Sequence, residues 1–191
     1  QTADLPDAPV GSPAYPSIFP YQLQKVVIPQ SVRIGSNAFD GCNELRIVDI
    51  TNAYEIGESA FSQCHALQSV AFPKVTSIEN AAFSGCDGLT YASLPSLCTI
   101  GDQAFYSCKQ LKTLEFSQLV RVNTAAFESC TALTEIEIPN VTSLGSSVFR
   151  NCKSLKKVNI PEVIQIPEKT FMDCISLQTV HAPKAEDIMA S

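Results

Sequence analysis

Ala38-Phe39-Asp40-Gly41-Cys42-Asn43-Glu44-Leu45 is the stretch on which the reading of this chain turns. Reduced to Ala-Phe-x-x-Cys-x-x-Leu, it returns every 22 residues without slippage. Phe39, Phe61, Phe83, Phe105, Phe127, Phe149 and Phe171 form one column. Cys42, Cys64, Cys86, Cys108, Cys130, Cys152 and Cys174 form a second, and Leu45 to Leu177 a third. Strict self-similarity at such a period marks a solenoid, in which each copy buries its apolar face only against its neighbours.

Working outward, each Leu opens a short strand of the form Leu-x-x-Val-x-Ile, as in Leu45-Val48-Ile50 and Leu155-Val158-Ile160. Its alternating end predicts inward and outward faces. Pro29, Pro73, Pro95, Pro139, Pro161 and Pro183 close the strand, since proline brings no donor to a ladder. Thr51 and Ser117 replace it in two copies, where a less rigid turn is expected. An inward pair follows, such as Val75 and Ile78, and then often a glycine. Ala60, Phe61 and Cys64 lie at i, i+1 and i+4, which predicts a short helical turn. One coil thus reads as strand, turn, extended piece and helical turn, with successive strands parallel.

This pattern fills residues 21–191, read as one repeat domain. Residues 1–20 differ, with Pro6, Pro9, Pro13, Pro16 and Pro20 spaced through them. They are expected to form a disordered start and then, from about Tyr15, a cap over the first coil; a stiff linker is the other reading.

Composition restricts the function classes. A hydrophobic content of 45% with 17% charge suits a continuous core. A net charge of −6 argues against nucleic acid and against a polybasic membrane-surface segment. No apolar run is long enough to span a bilayer. Seven of the eight cysteines belong to the repeat column, so reduced buried thiols are expected rather than disulfides. Cys98 alone stands outside it, where Thr76 and Thr142 stand in other copies, and is expected on the outer side of the coil. No C-x-x-C pair, phosphate loop or serine elbow occurs, and His65 and His181 lie in no nucleophile motif. No metal, cofactor or catalytic residue is therefore expected. Asn140-Val141-Thr142 has the form of a glycosylation acceptor, but the repeat already accounts for it.

The strand Leu-x-x-Val-x-Ile-Pro, with Ile-Gly-x-x-Ala-Phe-x-x-Cys-x-x-Leu, resembles the BspA-like leucine-rich repeats. Ser143-Leu144-Gly145 through Phe149, Cys152, Leu155, Val158, Ile160 and Pro161 match throughout, except that Val148 stands where alanine is usual. The resemblance implies an α/β repeat, a right-handed solenoid with a parallel sheet on its concave face and about seven repeats. It also implies an exported protein, extracellular or at the cell surface, its signal peptide already removed. Such proteins are associated with adhesion to host matrix, host cells or other microbes. No catalytic residue and no ligand transfer with it.

If Leu45, Val48 and Ile50 point inward, their neighbours form outward columns on the concave face. One runs Lys25, Ile47, Ser69, Tyr91, Thr113, Glu135, Lys157, Thr179. The other runs Val27, Asp49, Ala71, Ser93, Glu115, Glu137, Asn159, His181. These positions vary while the inward ones hold, as on a fixed scaffold with a changeable surface. Val27, Ile47, Tyr91, Glu115, Glu135, Glu137 and Lys157 are the candidate contacts for a protein or glycan partner. Glu135 and Lys157 are expected to pair across strands. The alternative to a binding module is a rigid spacer presenting another domain.

Overall fold

The computed structural model describes residues 2–4 (backbone only), 22–30 and 33–189. Apart from residues 2–4, the proline-spaced segment and its expected cap from Tyr15 lie outside the described residues. The chain winds as a solenoid of short parallel strands, two per coil. The longer set comprises β2 (Lys25–Val27), β4 (Ile47–Asp49), β6 (Ser69–Ala71), β8 (Tyr91–Ser93), β10 (Thr113–Glu115), β12 (Glu135–Glu137), β14 (Lys157–Asn159) and β16 (Thr179–His181). The shorter set comprises β3 (Arg33–Ile34), β5 (Glu55–Ile56), β7 (Ser77–Ile78), β9 (Thr99–Ile100), β11 (Arg121–Val122), β13 (Ser143–Leu144), β15 (Gln165–Ile166) and β17 (Asp187–Ile188). β1 (Thr2–Asp4) pairs with β2 and adds a rung at the edge of the first coil, within the stretch expected to be disordered. An edge strand is an open template of backbone donors and acceptors.

The 22-residue period is the register itself. Ser69 pairs with Tyr91 and Tyr91 with Thr113, each one period on. Inside, the phenylalanine column stacks as a rod. Phe61, Phe83 and Phe105 have ring centroids 5.2 Å apart and planes within 8° of parallel. That spacing follows from coils stacked at about the 4.8 Å of paired strands. Leu, Val, Ile and Phe of the strand columns pack beside the rod, and in the interior coils nearly all are buried, with Val48, Leu114 and Phe116 half-buried. Where a glycine precedes the Ala-Phe corner, it lets coils approach. A Cβ on Gly145 would lie 2.4 Å from the Thr124 backbone nitrogen.

Two sequence expectations change. The first is the helical turn, because the described residues contain no helix. In the coil of Phe61, Ser59 and Gln63 have φ of 53° and 58°, and the equivalent pair is left-handed in every other copy. An α-helix needs negative φ throughout. Alternate amides also have different tasks. Ala60, Ser62 and Cys64 donate three residues back to Gly57, Ser59 and Phe61, closing consecutive turns. Ser59, Phe61 and Gln63 instead donate to Asn80, Ala82 and Ser84 of the next coil. Half the amides bind coil to coil, so no helix can close. The inward residues keep helical spacing, which is why sequence periodicity could not separate the two.

The second concerns the sheet, which is interrupted. The longer strands form three separate sheets, β1-β2-β4, β6-β8-β10 and β12-β14-β16, while β3 to β13 run as one six-stranded ladder. That ladder stops before β15. Pro167 there replaces the residue whose amide donates backward in other coils, as Gly145 does to Val122 at 2.8 Å.

Candidate functional site

The longer strands expose the face that the sequence singled out. In β12, Ile136 is buried between exposed Glu135 and Glu137. In β14, Val158 is buried beside exposed Lys157. In β4, Ile47 is 52% exposed, the most accessible large apolar side chain on the longer strands. Val27 and Tyr91 are half-buried.

Among the described residues, two shallow grooves lie on this face. Ile47 and Tyr91 line the first, with Arg46, Ser69 and Ala71 around Val48 and Val70. Glu135, Glu137 and Lys157 line the second, with Asn159, Thr179 and His181. Their volumes, 210 and 240 Å³, fall below the roughly 300–1,000 Å³ of pockets that enclose a small molecule. Each suits a single side chain or sugar ring of a larger partner. Glu115 lies between them, and Val27 lines neither.

Glu115 is tied down. Tyr91 donates its hydroxyl to Glu115 Oε2 at 2.7 Å, and Ser93 donates to the same oxygen at 2.9 Å. The tyrosine's hydrogen bond, then the serine's, holds the Glu115 carboxyl below its usual range. The same carboxylate pushes Tyr91 above its usual range. Glu135 and Lys157 are register partners, as expected, yet no ion pair joins them within 4.0 Å among the described residues. Asn159, between Glu137 and His181 in register, has a buried Oδ1 with no hydrogen-bond partner.

Sequence reasoning missed three features. The cysteines are donors as well as packing groups: Cys64, Cys86, Cys108, Cys130, Cys152 and Cys174 each direct Sγ to a phenylalanine carbonyl of the preceding coil, at 2.9–3.2 Å. Burial pushes the Cys42 and Cys130 thiols up to about 12 and Cys174 up to about 11. All eight cysteines carry free thiols, and Cys98 is exposed on the outer side of its coil. Second, Tyr54, Val120 and Ile164 are 46–57% exposed in the column that Cys98 shares. Third, Arg33 bridges coils to Glu55 and, at 3.0 Å, to Glu79. The first signal was the strict pairing of the cysteine and phenylalanine columns. The others come from positions that vary from copy to copy.

Among the described residues, no three His, Cys, Asp or Glu side chains are placed to hold a metal ion, and no helix is long and apolar enough to cross a membrane.

Stacked parallel coils of one length, each with a three-residue strand and an apolar rod, define a leucine-rich-repeat type of solenoid. The BspA type leucine-rich repeat region matches residues 18–130 and 54–178. The chain belongs to that family. No curated protein matches the sequence. Among solved structures, it is similar to the leucine-rich repeat protein of T. pallidum, at 29% identity and TM-score 0.68, covering 86% of this chain and 72% of that one. A leucine-rich cell surface protein of Faecalibacterium prausnitzii shares the fold at 24% identity and TM-score 0.57, covering 88% and 60%. The pneumococcal vaccine antigen PcpA does so at 16% and 0.51, covering 88% and 57%. This chain therefore spans less than two thirds of the latter two. The family's solenoid is typically a binding scaffold rather than an enzyme.

Proposed function

We propose that this chain is a non-enzymatic binding module, exported to the cell surface or beyond, whose longer-strand face contacts a protein or glycan partner in adhesion. The supporting observation is the contrast within each longer strand. The inward column is uniformly apolar, whereas the outward positions differ from coil to coil and leave Glu135, Glu137 and Lys157 without ion pairs among the described residues. Such side chains retain their charge and hydration for a partner, and two shallow grooves offer footholds beside them.

The test is a binding screen of the purified chain against matrix proteins, mucin and a glycan array. Tyr91→Ala combined with Glu137→Lys serves as the altered face. A ligand bound by the native chain and lost by this variant is the expected result. Binding that the variant retains in full would move the contact off this face.

The spacer reading draws on a different observation. Ile188 is 73% exposed and shares a shallow groove with Met172 and Met189. Exposed apolar surface of this kind marks a contact site, as a presented domain would need. A chain that binds nothing in the screen supports the spacer.

A further inference from the structure

The two interruptions of the longer-strand face coincide with the two copies that lack proline. The residue before each of the first five strand-closing prolines donates its amide to the next coil: Ile28 to Asp49 at 2.9 Å, Phe72 to Ser93 at 3.0 Å, Leu94 to Glu115 at 3.0 Å, Ile138 to Asn159 at 3.1 Å and Ile160 to His181 at 2.9 Å. Ile50, before Thr51, and Phe116, before Ser117, make no such bond. Their coils are the ones where β4 fails to pair with β6 and β10 with β12. The strand-entry bonds are displaced there too, with Ala66 donating to Asn43 and Ala132 to Lys109, both at 3.1 Å, two residues ahead of the usual place. Thr90 donates to Gln68, but Gln68 has no counterpart bond to Arg46, nor Thr134 to Lys112. Val48 and Leu114, central in these two strands, are only half-buried, whereas Val26, Val70, Ala92, Ile136 and Val158 are buried.

The cause lies in the pre-proline restriction. Clash with the proline ring drives the preceding residue out of the α region and into the extended one. An extended residue at the strand's end holds its amide toward the neighbouring coil. Threonine and serine impose no such restriction, so the rung is left open. Elsewhere the coils stay joined. The short ladder pairs Glu55 with Ser77 and Arg121 with Ser143, and the Phe61–Phe83 and Phe127–Phe149 rings stack at 5.2 and 5.8 Å across the same junctions.

We propose that the proline after each longer strand is a latch, and that the solenoid flexes at the two unlatched junctions, Thr51 and Ser117, hinging on the side of the short ladder. The face then consists of three blocks, carrying Ile47, then Tyr91 and Glu115, then Glu135, Glu137 and Lys157. On the binding-module reading above, the hinges let those blocks adjust to a partner. The hinge itself does not need that reading.

Residue-resolved hydrogen exchange on the whole chain tests this without any ligand, so its outcome is separate from that of the binding screen. The amides of Ile50 and Phe116 should exchange roughly tenfold or more faster than those of Phe72, Leu94 and Ile138, because fewer bonds must open. Thr51→Pro and Ser117→Pro should slow them toward the others. Neither Thr51 nor Ser117 donates its amide among the described residues, so proline removes no hydrogen bond. Pro95→Thr is the converse variant and should speed Leu94 by a similar factor. Equal protection at all these amides in the native chain would overturn the proposal. So would a folded Pro95→Thr chain with Leu94 unchanged, whatever the proline variants do.

Discussion

Removing one ring from the phenylalanine rod should cost far more in the middle than at the end. Phe105 is fully buried, with ring neighbours Phe83 at 5.2 Å and Phe127 at 5.4 Å. Phe105→Ala removes the burial of a whole side chain and leaves a cavity that stacked backbones cannot close, a loss of about 3–5 kcal/mol. Two stacked ring contacts of about 0.5–1.5 kcal/mol each place the expectation near the top of that range. Phe171 is half-buried and stacks on Phe149 alone, at 5.9 Å. Phe171→Ala should therefore cost only about 1–2 kcal/mol, since burial and stacking are both roughly halved. A protein of this kind holds about 5–15 kcal/mol in total, so the central variant should be visibly crippled and the terminal one nearly native. Urea unfolding followed by circular dichroism, extrapolated to water, measures both. Losses equal within error, or a central loss under about 2 kcal/mol, would refute stability carried coil to coil through the rod.

Further outcomes follow from other contacts. A thiol reagent should modify one cysteine per native chain, Cys98, and eight in denaturant, because buried thiols at about 12 ionise roughly a thousandfold less than at the ordinary 9.0. More than one fast native thiol would contradict this. Ala81 holds a φ of 55°, so Ala81→Gly should raise stability by about 1 kcal/mol in the same urea assay; a loss would show that left-handed strain is absent there. Glu115→Gln should lower the Tyr91 titration toward the ordinary tyrosine value, as read by NMR of labelled tyrosine rings, since the carboxylate is what raises it. With the Glu115 pKa depressed, its pairing with Tyr91 should be complete above the ordinary carboxylate range and be lost only as pH falls through the lowered value. Loss of the pairing at or above the ordinary value would contradict the assigned hydrogen bond.

The repeat, the inward columns, the parallel register of Glu135 with Lys157 and the outward setting of Ile47 and Glu137 were all legible in the sequence. The reason is geometric. A side chain that must meet its own copy one coil later cannot drift, so the period is itself the register, and alternation along three residues then assigns the two faces. The substitutions at Thr51 and Ser117 were also visible, as turns with less restraint.

Tertiary structure decided the rest, because the deciding contacts join residues about 22 apart through the backbone. The Ala-Phe corner has helical side-chain spacing, yet its amides alternate between their own turn and the next coil, and only the stacked coils supply the second set of acceptors. A cysteine column reads as small apolar packing until a carbonyl of the coil below is placed within reach of each sulfur. Glu135 and Lys157 stand side by side without pairing, while Glu115 is held by Tyr91 of the neighbouring coil rather than by any motif. The open rungs after β4 and β10 likewise arise only when a missing proline is set against the coil it would have latched.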